Sequence, residues 1–326
     1  MSYQVILGGK YDITEAVQAG SMSLSDALDD IAMRFKMTVT AVPGLPDIKP
    51  PMPITLKGIP ANDGSMVTLF DGVVWDVTDS YKGAHYISIT AYERTKYMAE
   101  SEDEYLFNAG MTASDIIKKI ASDWNIPMGS IADTKIKLAK QLFRGGKNLY
   151  SIIRDVLAET VDKGGDMYIP RMAGGKLELV PIGSNSTVWS LETIESAEHT
   201  ITMDGMVTKV KVLGSSDSDS KLSPVLAIVT GDTAKYGTIQ RVYSDSQIKN
   251  VSEAKTAGQK LLSGPIETFS YSGIDINTIR AGDKVRFDGR DLIVTSVEHV
   301  LGESGHMNME LAPLEVVKKK YYAKSI

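Results

Sequence analysis

Apolar and polar residues alternate with a period of two through MRFKMTVTA, where Phe35, Met37, Val39 and Ala41 mark one side of the chain. That is the pattern of a half-buried strand. MVTLF, GVVWDV and HYISITAYE follow as three more β-rich runs, separated by Asp-Gly and by a polar turn at Gly83. Before them, SLSDALDDIA predicts a short helical turn with Ser25 or Ser23 as N-cap. PGLPDIKPPMP holds five prolines in eleven residues, and proline cannot donate to a ladder, so an extended loop is expected there. Residues 1–100 therefore predict a mostly β domain.

The period changes to that of a helix in residues 101–195. TASDIIKKIASDW puts Ile116, Ile117, Ile120, Ala121 and Trp124 on one face, with Thr112 or Ser114 as cap, and predicts a helix over about 113–124. NLYSIIRDVLAETVDKG repeats the pattern at Leu149, Ile152, Ile153, Val156 and Leu157 and predicts a helix over about 148–162, stopped by Gly164-Gly165. DMYIPRMAGGKLELVPIG reads as a hairpin turning at Ala173-Gly174-Gly175. This middle segment is expected to be a compact α+β unit.

Residues 196–326 return to β, in MVTKVKVLG, VLAIVTG, ETFSYSG, DKVRFDG, DLIVTSVEHV and HMNMELAP, followed by a C-terminal tail. One helix, VSEAKTAGQKLL, interrupts them and offers Val251, Ala254, Ala257, Leu261 and Leu262 for packing. There is an internal echo. VTLFDGVVWDV then HYISITA resembles VRFDGRDLIVTSV then HMNMELA, each pairing Phe-Asp-Gly with a later strand opened by a histidine, His85 or His306. The echo points to two copies of one barrel-like unit flanking the helical segment.

The 326 residues suit two or three domains. A hydrophobic content of 43% and a charged content of 23% are those of a globular chain. With no cysteine, disulfides and thiol chemistry are excluded. No basic segment with a following apolar run opens the sequence, and no window of about 18 apolar residues suggests a membrane span. A net charge of −6 argues against stable nucleic-acid binding. The one basic run, Lys318 to Lys320 and then Lys324, reads as a solvated tail.

The sharpest chemical candidate is SVEHVLGESGHMNMEL, with His299 and His306 among Glu298, Glu303 and Glu310. If the two histidines face each other across a Gly302–Gly305 turn they share one side of a sheet. Glu298 then points to the other, and Glu310 falls on the side of His306. A zinc site wants three or four ligands within about 2.0–2.3 Å. This stretch offers two and a loop glutamate, so ordinary cross-strand contact is the main reading, beside a metal site or an acid/base pair. The sequence lacks H-E-x-x-H, G-x-S-x-G and the glycine-rich phosphate loops. SEDE at 101–104 and DALDD at 26–30 lack the aromatic platforms of a sugar cleft, because Trp75, Trp124 and Trp189 lie in separate segments and Trp124 reads as core. GSSDSDSKLSP lacks the glycine and glutamate of a calcium loop. No catalytic residue, cofactor site or metal site is predicted.

GMTASDIIKKIASDWNIPMGSI resembles the second half of the glycan-binding LysM pattern at Ile120, Ala121, Trp124 and Ile131. A structural helix with the same packing solution is the simpler reading.

Over nearly its whole length the order of motifs resembles a known family. LFDGVVWDV leads to ITAYERTKYM, then FNAGMTASDII, NLYSIIRDVL and GGKLELVP, then VTKVKVLG, Tyr236-Gly237, IRAGDKVRF and VTSVEHV. This is similar to the baseplate hub proteins of contractile phage tails and phage-tail-like bacteriocins, in particular the XkdQ family. The likeness extends distantly to late-control D proteins and the hub part of VgrG. The resemblance implies an α+β, β-rich fold of two tube-like β-barrel domains, each with a helix, at 1–100 and 196–326, flanking a smaller α+β domain at 101–195. It implies a homotrimer that joins a sixfold tail tube to a threefold spike around a channel. The implied partners are tail tube, spike and other baseplate proteins and the tape measure, met during assembly in the bacterial cytoplasm. It gives His299 and His306 no metal duty. A peptidoglycan-binding tail component and a cell-wall hydrolase are the alternatives.

Overall fold

Strand alternation and two amphipathic helices organise the computed structural model, which describes residues 3–62, 64–215, 222–245, 248, 250–302 and 304–322. The first stretch forms β1 (Tyr3–Leu7), β2 (Tyr11–Asp12), β3 (Met22–Ala27), β4 (Arg34–Thr40), β5 (Pro53–Gly58), β6 (Val67–Tyr81) and β7 (His85–Tyr92). The middle stretch forms α1 (Lys96–Glu100), β8 (Glu102–Phe107), α2 (Ala113–Asp123), β9 (Met128–Ile131), β10 (Gln141–Asn148), α3 (Leu149–Asp162), β11 (Tyr168–Ala173), β12 (Lys176–Pro181) and β13 (Trp189–Ser190). The last stretch forms β14 (Ile194–Thr202), β15 (Lys209–Leu213), β16 (Val225–Thr230), α4 (Thr233–Tyr236), β17 (Gln240–Ser244), α5 (Val251–Leu261), β18 (Ile266–Ile274), β19 (Lys284–Phe287), β20 (Arg290–Leu301), β21 (His306–Ala312) and α6 (Leu314–Tyr321). The fold is thus β-rich, with six α-helices among the described residues.

The chain forms two compact units, Met1–Glu198 with Phe269–Lys324, and His199–Thr268. In the larger unit the strand order is β14-β18-β21-β20-β3-β4-β7-β6-β5-β1-β2, with β13 and β19 branching from β20. Its central seam joins the last stretch to the first, because β20 pairs antiparallel with β3 from Ser296↔Ala27 to Leu301↔Met22. Three apolar cores lie along it. One centres on Phe35, Phe70 and Leu56, one on α2 and α3, and one on Phe269, Val294 and Met309. In the smaller unit, α5 packs on the sheet β16-β15-β17. A Cβ at Gly258 would lie 2.6 Å from Val229 Cγ2, so a bare backbone is what lets that helix sit so close.

Both long helices form where periodicity places them. Thr112 accepts from the Asp115 N–H while Asp115 accepts from the Thr112 N–H, a reciprocal cap on α2. Asn148 caps α3 by accepting from the Ser151 N–H. The β11–β12 hairpin turns at Gly174-Gly175, with both glycines at positive φ.

Four local readings change. Lys318 to Lys320 lie on α6, not in a free tail, because Val317 and Tyr322 are buried and the Tyr322 hydroxyl donates to the Tyr168 carbonyl. SLSDALDDIA does not form a helical turn; Met22–Ala27 is a strand, drawn into the ladder between β20 and β4, with Leu24 and Asp26 facing inward. MVTLF and GVVWDV are one strand, β6, and the Asp71-Gly72 pair lies inside it. Gly72 is there because a Cβ would lie 2.2 Å from the Tyr92 carbonyl oxygen. Trp124 is 39% exposed at the C-terminal end of α2, outside the core. The aspartate-rich loop 214–224 falls mostly outside the described residues.

Candidate functional site

The β20–β21 hairpin separates the two histidines. His299 pairs with Met307 and His306 with Val300, so alternation sends His299 into the core and His306 to the opposite face. The expected face-to-face pair therefore does not form. Glu298 lies opposite Asn308, and Glu310 opposite Ser296, on the face of His306. Glu303 lies outside the described residues. No cluster of three or more metal-ligating side chains occurs among the described residues.

His299 is 1% exposed and fully engaged. Its Nε2 lies 2.9 Å from the Ile279 carbonyl oxygen, which can only accept, so Nε2 carries a proton. Its Nδ1 lies 2.6 Å from Asp275 Oδ1. Those two atoms share one more proton, as imidazolium and carboxylate or as imidazole and carboxylic acid. Asp275 Oδ2 has no hydrogen-bond partner among the described residues. Nearby, Asn277 donates to the Tyr3 hydroxyl and to the Ile59 carbonyl, and accepts from the Ala61 N–H. Burial, with the Asp275 charge adding to it, pushes the Tyr3 hydroxyl up to about 12. This cluster fastens β1 to the segment after β18. Among the described residues both ring nitrogens of His299 are taken up by Asp275 and the Ile279 carbonyl, which ties β20 to the segment after β18.

A second buried node was not legible as a site in the sequence. Arg280, from IRAGDKVRF, places Nε 2.7 Å from Asp26 Oδ2 and spreads its two terminal nitrogens onto Glu93 at 3.0 and 3.1 Å. It also donates to the Met172 carbonyl at 2.9 Å. Glu93 in turn accepts from the Met33 N–H. One guanidinium thus joins β3, the end of β7, β11 and the loop before β19. Burial opposes its charge, but Asp26 and Glu93 outweigh that and hold it protonated above the ordinary arginine range. Burial pushes the Glu93 carboxyl up, Arg280 counters it, and the nearby Asp26 charge adds to the rise. Asp26 belongs to the DALDD cluster, so that cluster is partly structural.

The outward face of β18, β21, β20 and β3 carries short polar and acidic side chains. Ser272, Asn308, Glu298 and Ser25 form one transverse row, and Ser270, Glu310 and Ser296 the next. An open groove of about 560 Å³ lies over them. Glu310 is pushed up by burial against the pull of Lys320, with Glu198 adding its charge.

The LysM-like positions divide. Ile120 and Ala121 are fully buried in the α2 core, whereas Trp124 is partly exposed. The internal echo divides too. Phe70-Asp71-Gly72 runs through a strand, but Asp288-Gly289 makes the β19–β20 turn, with both residues at positive φ. What does recur is a bulged hairpin. β6 bulges at Val74/Asp76 against β7, and β20 at Val294/Ser296 against β21, and each short partner strand opens with a histidine.

Comparison with known proteins agrees with this architecture. The YqbQ-like family model matches residues 52–312. The uncharacterized protein YqbQ of Bacillus subtilis (strain 168) is 29% identical over 215 residues, 63% of this chain and 64% of YqbQ. The phage-like element PBSX protein XkdQ of the same organism is 29% identical over 190 residues, 57% of this chain and 56% of XkdQ. The chain thus spans less than two thirds of the length of these curated relatives. The 43 kDa tail protein of prophage MuSo2 from Shewanella oneidensis superposes with a TM-score of 0.71 at 12% identity, covering 97% of this chain and 99% of that one. A Francisella PdpA-VgrG complex superposes with a TM-score of 0.59 at 8% identity, covering 97% of this chain and 58% of that one. The protein has the fold of phage tail proteins, and it belongs to the YqbQ-like family.

Proposed function

We propose that this protein is a structural hub of a contractile tail baseplate or of a tail-like particle. In this reading it forms a homotrimer that joins a sixfold tail tube to a threefold spike around a central channel. The observation that carries the proposal is superposition on a prophage tail protein over 97% of the chain, together with the repeated bulged hairpin in the first and last stretches. Three copies, each supplying two similar β modules, present six similar units, which reconciles threefold with sixfold symmetry by repeating one heterologous contact.

The modules are residues 1–100 and 196–326, with 101–195 between them. The core around Phe35, Phe70 and Leu56 and the core around Phe269, Val294 and Met309 support the two outer modules, and His199–Thr268 is then an insertion in the second. The row of Ser272, Asn308, Glu298 and Ser25 is assigned to the channel wall. Its side chains are polar, and its carboxylate, Glu298, together with Glu310 of the next row, repels a passing polyanion. Tube, spike, neighbouring baseplate proteins and the tape measure are the proposed partners, met in the bacterial cytoplasm. The role is one of shape and symmetry, without covalent chemistry. Light scattering of the chain mixed with tube and spike proteins of the same particle tests this. A complex holding three copies is expected, and a chain that stays monomeric with both partners present contradicts the proposal.

A further inference from the structure

Strand β14 is nine residues long, ends the large sheet, and has eight residues exposed, with Ile194 at 51% and Ile201 at 65%. Edge strands are normally protected by lysine, proline, a bulge or a cover. Residues 189–203, WSLETIESAEHTITM, contain no lysine, arginine, proline or glycine. The opposite end of the same sheet is closed. There β2 pairs with β1, the Ile13 N–H donates to the Val5 carbonyl, and the Val5 N–H donates to Thr14 Oγ1. Among the described residues, the sheet is thus blocked at one end and ready to pair at the other.

β14 carries Glu195 and Glu198, with Glu192 just ahead of it. Antiparallel pairing of β14 with itself about its middle would set the Glu198 carboxylates of the two copies directly opposite one another, which is unfavourable. A strand with a positive charge and no carboxylate suits it better. The chain has one at an edge of the three-stranded sheet β16-β15-β17. β17 reads QRVYS, pairs only with β15 among the described residues, and exposes Arg241 and Val242. Both strands are largely exposed among the described residues, each has apolar side chains to bury, and their charges are complementary.

We infer that β14 of one copy pairs edge to edge with β17 of a second copy. The contact is heterologous, so it propagates from copy to copy and closes a ring without leaving either edge open. The inference rests on the hub reading and specifies how its copies meet.

The absence of native cysteine makes the test direct. Ser196→Cys and Val242→Cys are introduced into the full chain singly and together, and a short bismaleimide is added to the chain mixed with its tube and spike proteins. The double variant is expected to give covalent dimers and trimers on a denaturing gel, and each single variant only monomer. Dimers from Ser196→Cys alone would show β14 pairing with itself and overturn the inference. So would a double variant that crosslinks only within one chain, or a trimeric sample that gives no crosslink. That last result would leave the hub reading intact, whereas a sample that never forms trimers would remove both.

Discussion

Arg280 bonds Asp26 across 254 positions of sequence, Nε to Oδ2 at 2.7 Å, and grips Glu93 with the rest of its fork. Removing it leaves two carboxyl groups buried together. Arg280→Ala is expected to destabilise the larger unit by about 3–5 kcal/mol, the usual cost of breaking a buried ion pair from one side. Arg280→Lys should recover only part, because an ammonium cannot reproduce the planar two-point contact. Urea unfolding of the full chain measures both.

Glu93 adds a pH dependence. Its carboxyl is raised in the native state, so the folded chain holds that proton more tightly than the unfolded chain does. The stability linked to it is complete below the ordinary glutamate range and falls as pH rises through the raised value. Glu93→Gln cannot titrate. The stability of the native protein relative to this variant should therefore decrease from acid toward neutral pH, read as the difference in urea midpoints.

His299→Ala strips Asp275 of its partner and should cost about 3–5 kcal/mol. Replacing both residues with leucine should recover part of that loss, as buried pairs exchanged for apolar side chains often do. If His299 is a tie and not a ligand, added zinc or a chelator leaves the melting temperature of the native protein unchanged.

Gly72 and Gly258 probe the two units separately. A methyl group at Gly72 would lie 2.2 Å from the Tyr92 carbonyl oxygen, and one at Gly258 would lie 2.6 Å from Val229 Cγ2. Each Gly→Ala change should cost about 1–3 kcal/mol through overpacking. Hydrogen exchange should place the loss from Gly72→Ala around β5–β7 and that from Gly258→Ala within His199–Thr268.

Ile120 and Ala121 serve the α2 core, which accounts for half of the LysM-like pattern without a glycan. The full chain is expected not to sediment with purified peptidoglycan. Trp124→Ala should shift stability only slightly, because the ring is already partly in water.

Much of the fold was legible from periodicity. α2 and α3 each bury one stripe and end in recognisable caps, and the β11–β12 turn needs two glycines at positive φ. The misreadings share a physical cause. β3 has a helix-like polar rhythm, but the ladder between β20 and β4 overrides local propensity. Gly72 looks like a turn residue, yet it serves a close backbone approach inside a strand. β14 is exposed on both sides, so it carries no alternation to read. The Arg280 node escaped because its partners are separated by up to 254 positions. His299 and His306 are spaced as if to face each other across the hairpin, but a register offset of one residue sends them to opposite faces.

The most direct test of the central claim is a cryo-electron-microscopy reconstruction of the baseplate of a particle that contains this chain. Three copies in a closed ring between tube and spike, with the first and last modules in six quasi-equivalent positions, are predicted. A chain found outside the tube axis, or present in a number other than three per baseplate, would contradict the account.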